Sequence, residues 1–429
     1  MMEGWKTDKF KNQIQYKSGY TWSKEQELKT QGPNSVRVLT VTNIQKDLDL
    51  SEELYLQAVN EKDKREKAVS KNWCIAVSSN GNRKRIGNTV FIKDDTDYLF
   101  ASFLTAFKPK DDSEILPDYF FRWLSSHNVQ ERITSVSEGT TGLGNLDIRY
   151  LRNMDIHFPE KSEQTAIAAM LSKVDEAIAA VKDSIAAAER LKKSLMQNLL
   201  TGRMKPDGTL RTEKEFYLDE KFGKVPVGWE VKRVKDFGEV ITGKTPPTEK
   251  PDVFSDKEHG FMFVTPGDVD TAKYIEQTER YVSEKGIKYS YTLPQNAVCE
   301  ICIGSTIGKI GITTKECCTN QQITSVVMNE ENDTEYFYYA MSARKDHFKS
   351  VAGINATPQI NKSEYSKYRI LCPNSKEEQI EIAQKLSVID TEINNEQNKI
   401  AVLERLKKSL MQNLLTGRVR VKPIIVTNN

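Results

Sequence analysis

The stretch Glu189–Arg203, ERLKKSLMQNLLTGR, recurs 215 residues downstream as Glu404–Arg418, identical at all fifteen positions. Chance agreement over that length is negligible, so the chain carries an internal duplication. It reads as two tandem half-molecules, each ending in this segment.

Working outward, the residues before each copy are helical. From Ser162 to Leu200 there is no proline or glycine, and alanine and leucine abound, which predicts one long helix. Ile167, Leu171, Val174, Ile178, Val181, Ile185, Ala188, Leu195 and Leu199 fall on alternating steps of four and three, with Lys192 the polar slot. That is a heptad seam, which needs a partner helix. Gly202 is placed to stop it. After Pro373 the pattern repeats, with Ser375 and Glu378 spaced as a capping box. The second seam runs through Ile382, Leu386, Ile389, Ile393, Ile400, Leu403, Leu410 and Leu414, interrupted at Glu396 and Lys407.

The remaining regions are strand-like, with short apolar runs such as Val36–Thr42, Trp73–Val77 and Thr89–Ile92 broken by polar turns. The duplication reaches into them weakly. Gly4-Trp5 aligns with Gly228-Trp229, Gly19–Thr21 with Gly243–Thr245, Val36–Ile44 with Phe261–Val269, and Asp118–Phe121 with Glu335–Tyr338. The shared residues are apolar or turn-forming and the loops between them differ, as in two related modules with different ligands. The predicted fold class is α+β: two mixed α/β modules separated by two long antiparallel coiled-coil helices, in a pseudo-twofold tandem repeat. The segments are 1–158 (module one), 159–203 (helix), 204–228 (connector), 229–372 (module two), 373–418 (helix) and 419–429 (tail). A helix of about 37 residues is about 55 Å long, which bounds the module separation.

Composition narrows the function classes. A formal net charge of +2 over 429 residues confines any basic surface to local patches. No apolar run is long enough to cross a bilayer, and the N-terminus lacks a secretory core, so a cytoplasmic location is expected. Cys299-x-x-Cys302 followed by Cys317-Cys318 invites a zinc site. Residues 297–303 read instead as a buried strand, on which positions three apart face opposite ways, so no metal is expected. The glycines of 139–144 do not lie between a strand and a helix and make a poor cofactor fingerprint. PDVFSDK at 251–257 suggests a nuclease carboxylate cluster, but its turn residues and lack of flanking strands predict a surface loop. His127, His157, His259 and His347 lack metal-ligand or base–nucleophile spacing.

These features resemble the specificity subunit of type I restriction–modification systems. The resemblance covers nearly the whole chain. It rests on the duplicated LKKSLMQNLLTGR, on PVGWEVKRV with the GKTP turn at 243–246, on CIGSTIGKIGI at 302–312, and on DIHFP at 155–159 and YRILCP at 368–373. It implies two target recognition domains, each reading half of a bipartite double-stranded DNA site, and spacer helices that set the gap and receive two modification subunits. It implies further that S-adenosylmethionine, ATP and magnesium are used by modification and restriction subunits, with no cofactor and no catalytic residue in this chain. In keeping with that, the sequence has no adenine-methyltransferase motif and no phosphate-binding GxxxxGK[ST] loop.

Bases are read by Arg, Lys, Asn, Gln, Ser and Thr. In module one, SSNGNRKRIGN at 78–88 offers Arg83, Lys84 and Arg85, and the segment before the helix offers Thr140, Thr141 and Asn145; a solvated hairpin tip is the other reading. In module two, GSTIGKIG at 304–311 offers Ser305, Thr306 and Lys309, with glycines that either bring backbone amides to a phosphate or form a tight sheet turn. Lys244, Thr245, Asn355, Thr357 and Gln359 are further candidates. Lys192, Lys193, Lys407 and Lys408 are expected to dock two identical subunits, because a merely solvated face is free to drift between copies. Competing readings are the specificity chain of another bipartite-site restriction class, a single-chain enzyme, and a coiled-coil adaptor without a DNA role.

Overall fold

In the computed structural model, residues 4–137, 143–250, 252–269, 272–353 and 358–421 are described. The chain divides into two compact units, Met1–Lys182 with Asn398–Asn429, and Asp183–Gln397. Four helices carry the account: α1 (Pro117–Leu124), α2 (Lys161–Leu199), α3 (Thr334–Ser342) and α4 (Lys376–Leu414). Both unit boundaries fall inside a long helix. Each unit therefore holds a module, the first part of one long helix and the second part of the other.

In the first unit a four-stranded antiparallel sheet runs in the order Ile14–Ser18, Leu104–Pro109, Cys74–Val77, Thr89–Phe91. A second sheet pairs Val36–Leu39 in parallel with Leu99–Phe100. A ribbon of Lys6–Lys9 against Asp155–Phe158 closes the module before α2. The second unit repeats this plan. Its main sheet runs Gly238–Thr242, Ile323–Met328, Val298–Ile301, Ile310–Thr313, with Tyr274–Ile275 added at the edge. Phe261–Val264 pairs in parallel with Cys317–Thr319, and Trp229–Arg233 closes against Arg369–Pro373. The strands expected at 36–42, 73–77 and 89–92 are present, slightly shortened. The aligned Val36–Ile44 and Phe261–Val269 are equivalent, each a strand followed by a turn that threonine closes through the residue three on. Thr40 N donates to Asn43 Oδ1 at 2.8 Å and Thr265 N to Asp268 Oδ2 at 2.8 Å.

Two sequence expectations change. Ser375 accepts from the Glu378 amide at 3.3 Å, but the Glu378 carboxylate does not return to complete the box. It accepts instead from Arg211 and, at 3.1 Å, from Trp229 Nε1. The stretch 251–257, expected as a loop without flanking strands, contains the edge strand Phe254–Ser255, paired with Arg280–Val282.

α2 ends as the sequence predicts, with Gly202 at φ +67°, and Gly417 does the same after α4 at φ +69°; only glycine adopts that conformation without strain. Within the first unit the two long helices pack antiparallel, because Asp175 of α2 pairs with Lys407 of α4 at 2.6 Å while Glu163 pairs with Arg420 at 2.7 Å. Ile167 and Leu171 from α2, with Leu414 and Leu415, complete that unit's core. In the second unit Lys192 pairs with Asp390, and Leu199 and Leu200 join Ile382 and Leu386 in the core. The lysine slots in the seam are thus filled by ion pairs.

Arg122 of α1, 4% exposed, also pairs with Asp175 and donates to Ser172 Oγ at 3.0 Å. Burial alone would raise the Asp175 carboxyl, but the hydrogen bond from Lys407 and the Arg122 guanidinium outweigh it and hold it below the usual carboxylate range. The folded pKa is depressed, so this contribution is complete above the unfolded value near 4 and is lost as pH falls through the folded one. Asp175→Ala leaves the Arg122 guanidinium buried without its carboxylate and is expected to cost about 3–5 kcal/mol. Hydrogen exchange should show the loss in Pro117–Leu124 and the second part of α4, and the variant should lack the wild-type drop in protection below pH 4.

Candidate nucleic-acid interface

In module one the segment 78–88 links Cys74–Val77 to Thr89–Phe91 at one end of the main sheet. Ser79–Asn80 pairs with Gly144–Asn145, and Leu146 N donates to Ser78 O at 2.8 Å. Asn145 is thereby brought beside the basic loop, 65 residues distant in sequence from Asn80. Ser78 N and Ser79 N both donate to Phe103 O, at 2.8 and 3.1 Å, which fixes a third segment at the same edge. Arg83–Arg85 form one 3₁₀ turn, capped where Asn82 Oδ1 accepts from Lys84 N at 3.1 Å. Arg83 and Lys84 are exposed. Arg85 is half-buried and donates to Val41 O at 2.9 Å and Ile44 O at 2.8 Å. Its guanidinium is committed to tying the 78–88 loop to the turn that bears exposed Thr42 and Gln45. Thr140 and Thr141 lie outside the described residues.

Module two assembles the same place from equivalent segments. Gly304 N donates to Pro358 O and Ile360 N to Cys302 O, both at 2.9 Å, and Ile303 faces Gln359 across an isolated bridge. Gln359 therefore sits beside Ser305 and Thr306. Lys244 N donates to Thr319 O at 2.9 Å, and Thr245 Oγ1 donates to Gln321 Oε1. Lys244, Thr245, Ser305, Thr306 and Gln359 thus converge on one sheet end, and exposed Gln321 joins them. Asn355 and Thr357 lie outside the described residues. Of the two readings of the 304–311 glycines, the hydrogen bonding favours one: the amides of Gly304, Ile307, Gly308 and Lys309 donate to Pro358, Gly304, Ile301 and Thr306 carbonyls. The glycines here serve the tight sheet turn, and those amides are not presented as an anion cradle.

The aligned Gly19 and Gly243 now have a physical reason. A Cβ at Gly19 would sit 1.9 Å from Ala101 O, and one at Gly243 would sit 2.2 Å from Asn320 O. Each glycine lets the first strand's exit cross the loop that enters the strand paired with it. Gln321, Thr42 and Gln45, exposed at these sheet ends, are not among the sequence candidates because they come from segments flanking apolar strands and carry no basic cluster. The aligned glycines and threonines were the available signal.

Lys192 and Lys407, expected at a docking surface, face inward to Asp390 and Asp175, whereas Lys193 and Lys408 are exposed. Among the described residues no group of three or more His, Cys, Asp or Glu could hold a metal ion. No helix there is long and apolar enough to cross a membrane.

Behind the module-two cluster lies one buried acid. Glu300 in the central strand accepts from Tyr365 Oη at 3.0 Å, joining that strand to the helix Lys362–Lys367. Burial pushes its carboxyl up to about 8, against the Tyr365 hydrogen bond and the charge of Lys345, which lower it.

A two-module chain with equivalent polar sheet ends and paired long helices defines a class, and the comparisons give its family. The profile of the type I restriction modification DNA specificity domain matches residues 2–190 and 226–405. The chain therefore belongs to that family. It is 32% identical over 203 residues to the type I restriction enzyme HindI specificity subunit of Haemophilus influenzae, a match covering 46% of this chain and 42% of that protein's length. It is 25% identical over 331 residues to the MjaVIII specificity subunit of Methanocaldococcus jannaschii, covering 74% of each. The fold matches the type I restriction–modification S subunit from M. genitalium with a TM-score of 0.57 at 16% identity, over 96% of each chain.

Two variants check the geometry. Arg85→Ala strands two carbonyls and is expected to loosen Thr40–Gln45 by about 1.5–3 kcal/mol, read as faster exchange there with the main sheet protected. For Glu300 the folded pKa lies above the unfolded one, so the folded state holds the extra proton between about 4.5 and 8, and stability falls as pH rises through that window. Glu300→Gln should abolish the decline and be the more stable form at pH 8.

Proposed function

We propose that this chain is the DNA sequence-specificity subunit of a type I restriction–modification complex. Each module reads one half of a bipartite double-stranded DNA target, and the long helices fix the gap and dock two modification subunits. Methylation, translocation and cleavage belong to modification and restriction subunits, which use S-adenosylmethionine, ATP and magnesium; this chain is non-catalytic. The observation that carries this reading is the pair of equivalent sheet ends. They share strand order, closing ribbon and glycine crossing, yet present different side chains: Asn80, Arg83, Lys84 and Asn145 in one, Lys244, Ser305, Thr306 and Gln359 in the other. Side chains of these types suit groove edges and phosphates, and a shared scaffold with unlike tips suits two different half-sites. Family membership supports the same assignment.

Three outcomes follow. Replacing residues 229–372 with the module of another family member should change one half-site of the methylated sequence, and methylome sequencing reads this directly. Inserting four residues in each long helix lengthens each by about 6 Å, so the methylated gap should grow by about two base pairs with both half-sites kept; changed half-sites with the old gap would refute the ruler. Arg83→Ala should weaken binding across sequences and lower the slope of log K against log salt by about 1.

A further inference from the structure

The chain has 16 phenylalanines, and 15 of them are buried or half-buried; Phe103 alone is exposed, at 53%. It lies in a two-residue turn of module one. Leu104 N donates to Ala101 O at 2.9 Å, closing the turn between two buried ends, and Ser102 and Phe103 form its exposed tip. The tip is anchored from a second side, because the amides of Ser78 and Ser79 both donate to Phe103 O. Ser79 in turn pairs with Asn145. Phe103 therefore stands at the polar sheet end, beside the 78–88 loop, in surroundings otherwise made of serines, asparagines and basic residues. Folding supplies no reason for a phenylalanine there. Turn tips favour Gly, Asn, Asp and Ser, and a ring left half in water forgoes much of what burial would give it.

Module two builds the same turn with other side chains. Ile323 N donates to Asn320 O at 3.2 Å and Cys302 N to Gln322 O at 2.8 Å, so Gln322 takes the place of Phe103 and Gln321 that of Ser102. Gln322 is half-buried and its amide group is used within the module. Its Oε1 accepts from Asn320 Nδ2 at 3.0 Å, and its Nε2 donates to Ile303 O at 3.5 Å. One backbone position thus offers solvent an aromatic ring in module one and a folded-back amide in module two. The turn needs neither, since its own hydrogen bonds are all from the backbone.

We propose that Phe103 is a specificity-determining residue of module one, which selects an A·T pair by packing its ring on the C5-methyl group of thymine. The inference rests on the functional reading above and adds the base chemistry that this one side chain reads. In the major groove every group on a base-pair edge is a hydrogen-bond donor or acceptor except that methyl. A phenyl ring cannot replace the water it displaces from a donor or an acceptor, so a G·C pair facing it loses hydrogen bonds without return. Against thymine, ring and methyl both leave water. Two other roles fit the geometry less well. Protein docking uses a continuous apolar patch of roughly a few hundred Å², which a single ring in polar surroundings does not make. A wedge driven between base steps from the minor groove must stand clear of its module, whereas nearly half of Phe103 is covered.

The test uses the full chain in complex with the modification subunit encoded beside it, and a duplex carrying the target that methylome sequencing defines. The half-site that survives exchange of residues 229–372 belongs to module one. Each of its thymines is replaced in turn by deoxyuridine, which removes the methyl and keeps the pairing with adenine. At one thymine the wild-type affinity should fall about threefold to tenfold. Phe103→Ala should lose the same factor on the thymine duplex and show no further loss at that uracil, while Phe103→Leu should keep the discrimination. Phe103→Gln, which installs the residue of module two, should behave as Phe103→Ala does and serves in its place should the alanine variant fail to fold. Uracil effects in the other half-site should be the same in wild type and variants. A turn merely loosened by the substitution would weaken thymine and uracil duplexes alike and keep their ratio, which overturns the proposal. So does a module-one half-site without thymine in either strand, or a wild-type complex indifferent to every uracil there. A complex that binds no bipartite DNA overturns the functional reading on which the proposal stands.

Discussion

A lysine placed in an otherwise apolar helix seam must meet a carboxylate, and that requirement organises both units. Lys407 meets Asp175 and Lys192 meets Asp390. Each lysine comes from the duplicated ending of one long helix and each aspartate from the first part of the other. Such a pair adds little net stability against apolar residues of equal volume, but removing either partner is costly. Its value lies in register: sliding either helix by one turn would leave an ammonium among leucines and isoleucines. Both pairs obey the same 215-residue offset, so the same register is set within each unit.

What surrounds the pair is free to differ. In the first unit Arg122 supplies a second cation to Asp175 and donates to Ser172 Oγ. The equivalent position in α3 is Tyr339, whose hydroxyl donates to Asp390 Oδ2 at 2.5 Å. The cation is replaced from elsewhere, by Lys273, which donates to Ser387 Oγ at 3.2 Å and pairs with Glu335 at 2.9 Å. Ser172 and Ser387 are themselves equivalent, so two diverged modules satisfy one serine and one aspartate with different donors. Module cores can therefore diverge widely while the helices they hold stay in place.

The sequence revealed what periodicity and repetition encode. Helix ends at Leu199 and Leu414, the antiparallel partnership and the two-module plan were all legible from Gly202, Gly417 and the seam. Asp175 and Asp390 were not singled out, because a carboxylate one turn off an apolar stripe looks like surface until the partner helix is placed. The polar sheet ends were legible only in part. The basic run Arg83–Arg85 was conspicuous, but its separation into exposed Arg83 and Lys84 and a carbonyl-bound Arg85 depends on where residues 41–44 lie. Between the two readings of the 304–309 glycines the sequence could not choose: Ile307, Gly308 and Lys309 amides are taken up by carbonyls within 301–306, and only the Gly304 amide by a distant one, that of Pro358.

The way the modules are closed explains how the surface at the sheet ends can change without loss of the fold. In each, the tip segments are held by backbone hydrogen bonds, such as Ser79 with Phe103 in one and Cys302 with Gln322 in the other. Backbone bonds do not depend on the side chains that project from them. The glycines at 19 and 243 carry the one steric demand of the crossing, and they are the residues the two modules share there. Side chains at 84 and 145, or at 244, 305, 306 and 359, stand outside that hydrogen-bonded frame, whereas Asn80 Oδ1 belongs to it by accepting from Asn82 N at 2.8 Å. Substitution among the outside group alters what the sheet end presents and leaves intact what holds it, which is the physical condition for one scaffold to present two different surfaces.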